Sequence, residues 1–291
     1  MMQRRSVARP ATFRPMAAPV SPIRLLRHED ASTLPADDIL VTEEPLEIRL
    51  GHGPLDARME LRLSVTMRTP GHDQELALGF LYTEGVIDDP GQVVRVVYCE
   101  NVRPEERGNV VRVELRPEVI VDPARWQRSF YTTSSCGVCG KSSIEAVQAQ
   151  CRRPLPVASP VEPTLIIRLP DRMRAAQTVF KHTGGIHAAA LFSMDGELLL
   201  LREDVGRHNT VDKLVGATLD GRTRSDTILV VSGRAGFELV QKCIVAGIPV
   251  MAAVGAPSSL AVQLARENGL QLFGFVRDGR CNRYSPSPTV D

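Results

Sequence analysis

No apolar run in this 291-residue chain approaches the roughly 18–20 residues that a bilayer-spanning helix requires. A membrane anchor built on a helix is therefore not expected. Charge of one sign is also missing: 35 Lys and Arg stand against 34 Asp and Glu, a formal net charge of +1. Binding to nucleic acid leans on a strongly basic surface, so that class is a poor fit. The dipeptide Arg4-Arg5 could open an export signal, but the apolar stretch that must follow is absent. Pro10, Pro15, Pro19 and Pro22 come instead, and residues 1–22 read as a disordered tail, with Met16 as an alternative start. A cytoplasmic location follows. There is no internal repeat. The six cysteines (Cys99, Cys136, Cys139, Cys151, Cys243, Cys281) have no signal peptide to accompany them and do not form a disulfide framework.

What is present is an ordinary globular composition, 43% hydrophobic and 24% charged. Residues 39–50 and 58–67 read as a strand pair around the turn Gly51-His52-Gly53-Pro54, with Met59 to Val65 alternating apolar and polar. A helix follows Thr69-Pro70-Gly71-His72-Asp73, carrying Leu76, Leu78, Phe80 and Leu81, and strands follow at Val93–Cys99 and Val110–Leu115. Residues 23–133 thus form a small N-terminal α+β domain. Residues 134–163 hold a Cys-x-x-Cys loop, a short helix and a linker with four prolines between Arg152 and Pro163. Residues 164–285 form an α/β domain. A hairpin is expected over 188–202 and helices over 209–219, 237–246 and 258–268. Buried strands are expected over 227–232, 248–254 and 270–276, in a partly parallel three-layer sheet. Residues 286–291 are a tail.

The chemistry-bearing motif is Ser134-Ser135-Cys136-Gly137-Val138-Cys139-Gly140-Lys141, followed by the capping pair Ser142 and Glu145. Cysteines just ahead of a helix start, beside a lysine, are biased toward the thiolate. A C-x-x-C pair is also half of a zinc site, though no second well-spaced Cys or His pair is present. A thioredoxin-like motif would follow the first strand of a βαβ unit, and the P-loop match fails at Ser135, where glycine is required. The motif alone leaves metal and thiol chemistry evenly balanced. Two further segments sit where strands meet helices. Glu203-Asp204-Val205-Gly206-Arg207-His208-Asn209 is densely polar, and Arg207 suits phosphate. Ser232-Gly233-Arg234-Ala235-Gly236 offers backbone N–H groups and a guanidinium to an anion. Tight or salt-bridged turns are the structural alternatives for both.

Eight segments together resemble the formate dehydrogenase accessory sulfurtransferase family, the FdhD-type proteins. They are residues 42–46, 69–81, 134–141, 183–189, 203–209, 212–216, 232–234 and 274–277. The resemblance spans about 35 to 285 and implies an α/β fold in which a cytidine-deaminase-like three-layer C-terminal domain joins the smaller N-terminal α+β domain, as a homodimer. It implies a sulfurtransferase that takes persulfide sulfur from a cysteine desulfurase onto Cys136, assisted by Cys139. The sulfur then passes to the molybdenum cofactor in its bis(molybdopterin guanine dinucleotide) form, bound as substrate, before insertion into formate dehydrogenase. Chemistry of this kind needs a mobile thiol loop, which Gly137 and Gly140 permit. The family's cofactor-binding segment falls on Phe275, Val276, Arg277, Asp278, Gly279 and Arg280. Ser232, Gly233, Arg234, Arg207 and His187 join it as candidate contacts, with Asp204 as an acceptor for a guanine edge. A core role for His187 stays equally open.

Gly236 stands where a hydroxyl residue is expected and Ser258 where threonine is usual, departures that touch the guanine pocket. The implied fold raises a zinc deaminase as a rival. That enzyme needs H-x-E ahead of P-C-x-x-C, whereas His187 is followed by Ala188 and Ala189 and the only C-x-x-C lies upstream. No tightly bound metal is expected. The alternative function is a non-catalytic chaperone for the molybdenum cofactor, with structural cysteines.

Overall fold

The computed structural model describes residues 17–30, 32–122, 154–219, 221 and 224–285. Cys136, Cys139 and Cys151, the Ser142–Glu145 capping pair and the two outermost tails lie outside the described residues. The described chain is a mixed α/β fold with three sheets.

The chain enters as an antiparallel ribbon, β1 (Val20–Glu29) paired with β2 (Ser32–Val41). This differs from the expectation of a tail to residue 22. Val20, Ser21 and Pro22 lie opposite Val41, Leu40 and Ile39, and that cross-strand pairing orders them. A four-stranded sheet follows, in the order β4 (Met59–Arg68), β3 (Glu44–His52), β6 (Val110–Leu115), β5 (Val93–Tyr98). β3 and β6 run parallel and the outer pairs antiparallel. The 39–50 stretch is therefore two strands with a break at 42–43. Helix α1 (Asp73–Thr83) is apolar nearly all round, and it is buried accordingly.

The third sheet has six strands in the order β12 (Arg280–Arg283), β11 (Gln271–Arg277), β10 (Val250–Ala253), β9 (Thr227–Val231), β7 (His187–Ser193), β8 (Leu198–Asp204). β9, β10 and β11 are parallel, and β7 reverses direction against β9. β12 carries no apolar run and was not anticipated. Both faces of the sheet are covered, which is why its central strands read as unbroken apolar runs. Leu191, Leu229, Val231, Met251 and Leu272 pack under α5 (Arg207–Gly216), α6 (Phe237–Val245) and α7 (Ser259–Glu267). Ala190, Phe192, Val230, Ala252 and Phe273 face the opposite way, onto Ile166, Leu169 and Met173. These last residues lie on or beside α2 (Pro163–Ile166) and α3 (Leu169–Ala176). The proline-rich stretch before α2 is extended, and it is also anchored: Ala158 and Val161 are buried in the same cluster.

One apolar core joins the four-stranded sheet to the six-stranded one, from Leu46, Ile48 and Leu50 through α1 to Leu214 and Leu239. At its centre α1 and α5 cross backbone to backbone. A Cβ on Gly79 would stand 1.8 Å from the Asp212 carbonyl oxygen, and one on Gly216 would stand 1.9 Å from that of Glu75. Any larger residue at either position would push the helices apart. No helix among the described residues is long and apolar enough to cross a membrane.

Candidate functional site at the strand ends of the six-stranded sheet

β9, β10 and β11 end on the side of the sheet where β7 begins and β8 ends. Parallel strands present their following loops together at that edge, where α/β folds form ligand crevices. A cavity of 660 Å³ lies there. His187, Val205, Ser232, Val254, Val276, Arg277, Asp278 and Gly279 line its sheet side. Arg168, Asp171, Arg174 and Gln177 line the other, with Phe180 from α4 (Val179–Thr183).

The sheet side is set by turns. Ser232 Oγ accepts the N–H of Ala188 at 2.9 Å, fixing the end of β9 against the start of β7, and its hydroxyl keeps a donor. Gly233 passes over the His187 ring. Burial lowers the His187 pKa below its usual value, and the nearby Arg207 lowers it further, so the imidazole is neutral at pH 7. Phe275 to Arg280 form the tip of the β11–β12 hairpin, with Arg277 opposite Arg280. Asp278 and Gly279 take positive φ at this tip, 55° and 71°. The Arg277 guanidinium stands 5.8 Å from the Phe275 ring.

The helical side is held by one carboxylate. Glu203 accepts the N–H groups of Thr178 (3.0 Å), Val179 (2.9 Å) and Phe180 (2.9 Å). This anchors the start of α4 to the end of β8, while Arg174 lies 4.0 Å over the Phe180 ring. Arg168, Arg174 and Arg234 have no carboxylate partner among the described residues, and Arg277 has only Asp278 at 3.8 Å. Three guanidinium groups line the cavity against two carboxylates, Asp171 and Asp278, and with Arg234 just outside the lining the positive excess suits an anion.

Of the expected contacts, the cavity lining gathers His187, Ser232, Val276, Arg277, Asp278 and Gly279, while Gly233 lies behind His187. Phe275, Arg280, Arg207 and Arg234 flank the lining without belonging to it. Asp204 is not available to a guanine edge: it is fully buried, and both oxygens are engaged by Lys213, Thr69, Gly206 and Asn209. The start of α6 is also less open than the Ser232–Gly236 sequence suggests. The Ala235 N–H is bonded to the Ala256 carbonyl, and Glu238 in the first turn pairs with His208 at 2.6 Å. The residues that sequence reasoning missed are Arg168, Arg174, Gln177 and Phe180. The spacing of Ile166, Leu169 and Met173 by three and four residues, with arginines between, was their signal.

The three described cysteines are not prepared as nucleophiles. Burial raises the thiol pKa of Cys99, Cys243 and Cys281, and Cys243 is wholly enclosed. Among the described residues no group of three or more His, Cys, Asp or Glu side chains could hold a metal ion.

The model of the FdhD/NarQ family matches residues 41–290. The chain belongs to this family. The sulfur carrier protein FdhD of Streptomyces avermitilis is 50% identical over 268 residues, covering 90% of this chain and 92% of that protein. The protein of the same name from Mycobacterium tuberculosis is 46% identical over 278 residues, 92% and 97% of the two chains. The crystal structure described as a formate dehydrogenase accessory protein from Desulfotalea psychrophila superposes with a TM-score of 0.70 at 22% identity, over 94% of this chain and 99% of that one. At that identity the likeness speaks for the fold. The relatives at 46–50% identity are named for sulfur carriage.

Proposed function

We propose that this FdhD/NarQ protein is a sulfurtransferase acting between a cysteine desulfurase and the molybdenum cofactor of formate dehydrogenase, in the cytoplasm. The Cys136 thiolate attacks the terminal sulfur of the desulfurase persulfide. The old S–S bond breaks, the desulfurase cysteine leaves as thiolate, and Cys136 carries the sulfur. Cys139 assists. The recipient is the bis(molybdopterin guanine dinucleotide) form of the cofactor, bound as substrate before it enters the formate dehydrogenase.

The observation that carries this reading is the arginine-rich strand-end cavity. Its 660 Å³ is the size of a site for one nucleotide arm. Arg168, Arg174 and Arg277 would meet the phosphates, and neutral His187 and Ser232 can donate or accept at polar edges. The cofactor has two such arms, and two copies of the chain would hold one each. The β1–β2 ribbon supports a homodimer. One of its faces carries Pro22, Ile39, Leu26 and Pro35 around the exposed pair Arg24–Asp37. A two-stranded ribbon with an uncovered apolar face is barely stable in water alone. We also propose that the six-stranded half is of cytidine-deaminase type.

The reading is tested by comparing wild type with Cys136→Ala, measuring calorimetric binding of guanosine diphosphate and restoration of formate dehydrogenase activity in cells lacking the endogenous protein. Unchanged nucleotide binding with abolished formate dehydrogenase activity is expected. Full activity in Cys136→Ala would favour a non-catalytic cofactor chaperone.

A further inference from the structure

The segment Thr69-Pro70-Gly71-His72-Asp73 lies between β4 and α1, outside the cavity, yet its backbone and side chain reach the loop at the cavity's edge. Thr69 donates its N–H to Asp204 Oδ2 at 3.1 Å and accepts the N–H of Val205 on its Oγ1 at 3.1 Å. Its carbonyl accepts from Lys213 Nζ at 2.8 Å, and the same ammonium lies 2.6 Å from Asp204 Oδ2. The other Asp204 oxygen closes the turn, accepting from Gly206 N at 2.8 Å and from Asn209 Nδ2 at 2.9 Å. Asn209 is held in turn by the four-stranded sheet. It donates to the Met67 carbonyl at 2.7 Å and accepts from Thr66 Oγ1 at 3.1 Å.

Asp204, Thr69 and Lys213 are at most 2% exposed, so water does not substitute for these bonds. Val205 lines the cavity, and Arg207, two residues on, is close enough to His187 to depress its pKa. The 204–209 loop is thus tied to the other half through Thr66, Met67 and Thr69, beside its bonds to Lys213 and Glu238 in its own half. We infer that Thr69 is a positioning residue of the strand-end site: through Asp204 and Val205 it fixes the loop that sets Val205 in the cavity wall and Arg207 at its edge. The inference rests on the proposal that this cavity takes a nucleotide arm of the cofactor. It gives the N-terminal half a part in recognition, although none of its described residues lines the cavity.

The test is calorimetric binding of guanosine diphosphate to the full chain, with melting temperature measured beside it. Thr69→Val keeps the shape and removes the acceptor, leaving the half-buried Val205 N–H without its partner. Binding should weaken by roughly tenfold, the effect of one lost, partly desolvated hydrogen bond transmitted to the loop. Thr69→Ser restores the oxygen and should bind as wild type. Thr83→Val is the control. It removes an equally buried hydroxyl at the far end of α1, bonded to Asp212 at 2.7 Å, and should lower the melting temperature while leaving affinity unchanged. Wild-type affinity in Thr69→Val would overturn the inference, as would failure of Thr69→Ser to rescue, or an equal loss of binding in Thr83→Val. A wild-type protein that binds no guanosine diphosphate would instead remove the reading of the cavity on which the inference stands.

Discussion

Two regions of this molecule are rich in arginine, and they differ in what the arginines face. On the four-stranded sheet, Arg49 lies against Glu47 and Glu60, Arg58 and Arg112 against Glu114, and Arg68 against Asp73. Around the strand-end cavity, Arg168, Arg174 and Arg234 have no carboxylate partner among the described residues. The first set neutralises itself and ties strands together. The second leaves its charge available. Capacity for an anionic ligand is therefore decided by pairing, and counting basic residues over a chain of net charge +1 could not locate it.

Among the paired arginines the largest effect is expected at Arg68. Its guanidinium donates to Asp73 at 3.1 and 2.9 Å, to the Gly108 carbonyl and to Asn109, and Tyr98 donates to the same Asp73. Arg68→Gln strands a buried carboxylate and should destabilise by about 3–5 kcal/mol in denaturant unfolding. If stability barely changed, the paired set would not be structural.

A smaller effect is expected at Glu75, which bridges α1 to β8 through Arg202. Burial alone would raise its pKa, but hydrogen bonds from His72 and Arg202 outweigh that and hold it at about 2. A depressed folded-state pKa contributes stability that is fully present above the unfolded value, near 4.5, and is lost as pH falls toward 2. Glu75→Gln should therefore cost about 2 kcal/mol at pH 7, and the gap from wild type should close between pH 4.5 and 2. A gap independent of pH would remove the electrostatic account.

The unpaired set should answer in the opposite sense. Arg174→Gln and Arg277→Gln should each weaken guanosine diphosphate binding by about tenfold, the loss of a charge-assisted contact, with melting temperature unchanged. Equal losses of binding from Arg49→Gln would erase the distinction between the two regions. Smallest in energy is the ribbon. Arg24→Asp and Asp37→Arg should each shift a dimer toward monomer in sedimentation, and an equimolar mixture should recover it through Arg–Asp pairing across two unlike copies. Variants that stay dimeric alone would move the contact elsewhere.

Sequence periodicity located most of the fold. The expected strands at 93–99, 110–115 and 227–232 and the helices at 209–219 and 237–246 fall on β5, β6, β9, α5 and α6 with ends moved by a few residues. Isolated strands without apolar alternation were missed: β12 (Arg280–Arg283) is exposed on three of four residues, and β1 carries apolar residues on both faces. The short helices α2 to α4 were missed because Pro163 and Pro170 interrupt a pattern only a few residues long. At the site, His187, Ser232 and Arg277 were legible as turn residues at strand ends. Asp204 misled, because a polar run at a strand's end looks the same whether its carboxylate faces a ligand or, as here, Lys213 and Thr69. Only the partners decide, and Thr69 is 135 residues away along the chain.

Sulfur carriage by Cys136 is the step on which the proposed function stands. Its most direct test is intact mass spectrometry under non-reducing conditions, after incubation with a cysteine desulfurase and cysteine, on wild type, Cys136→Ala and Cys139→Ala. A gain of one sulfur atom that thiols reverse is expected, present in wild type and absent in Cys136→Ala. Wild type that gains no sulfur, or Cys136→Ala that gains it equally, would rule out Cys136 as the carrier.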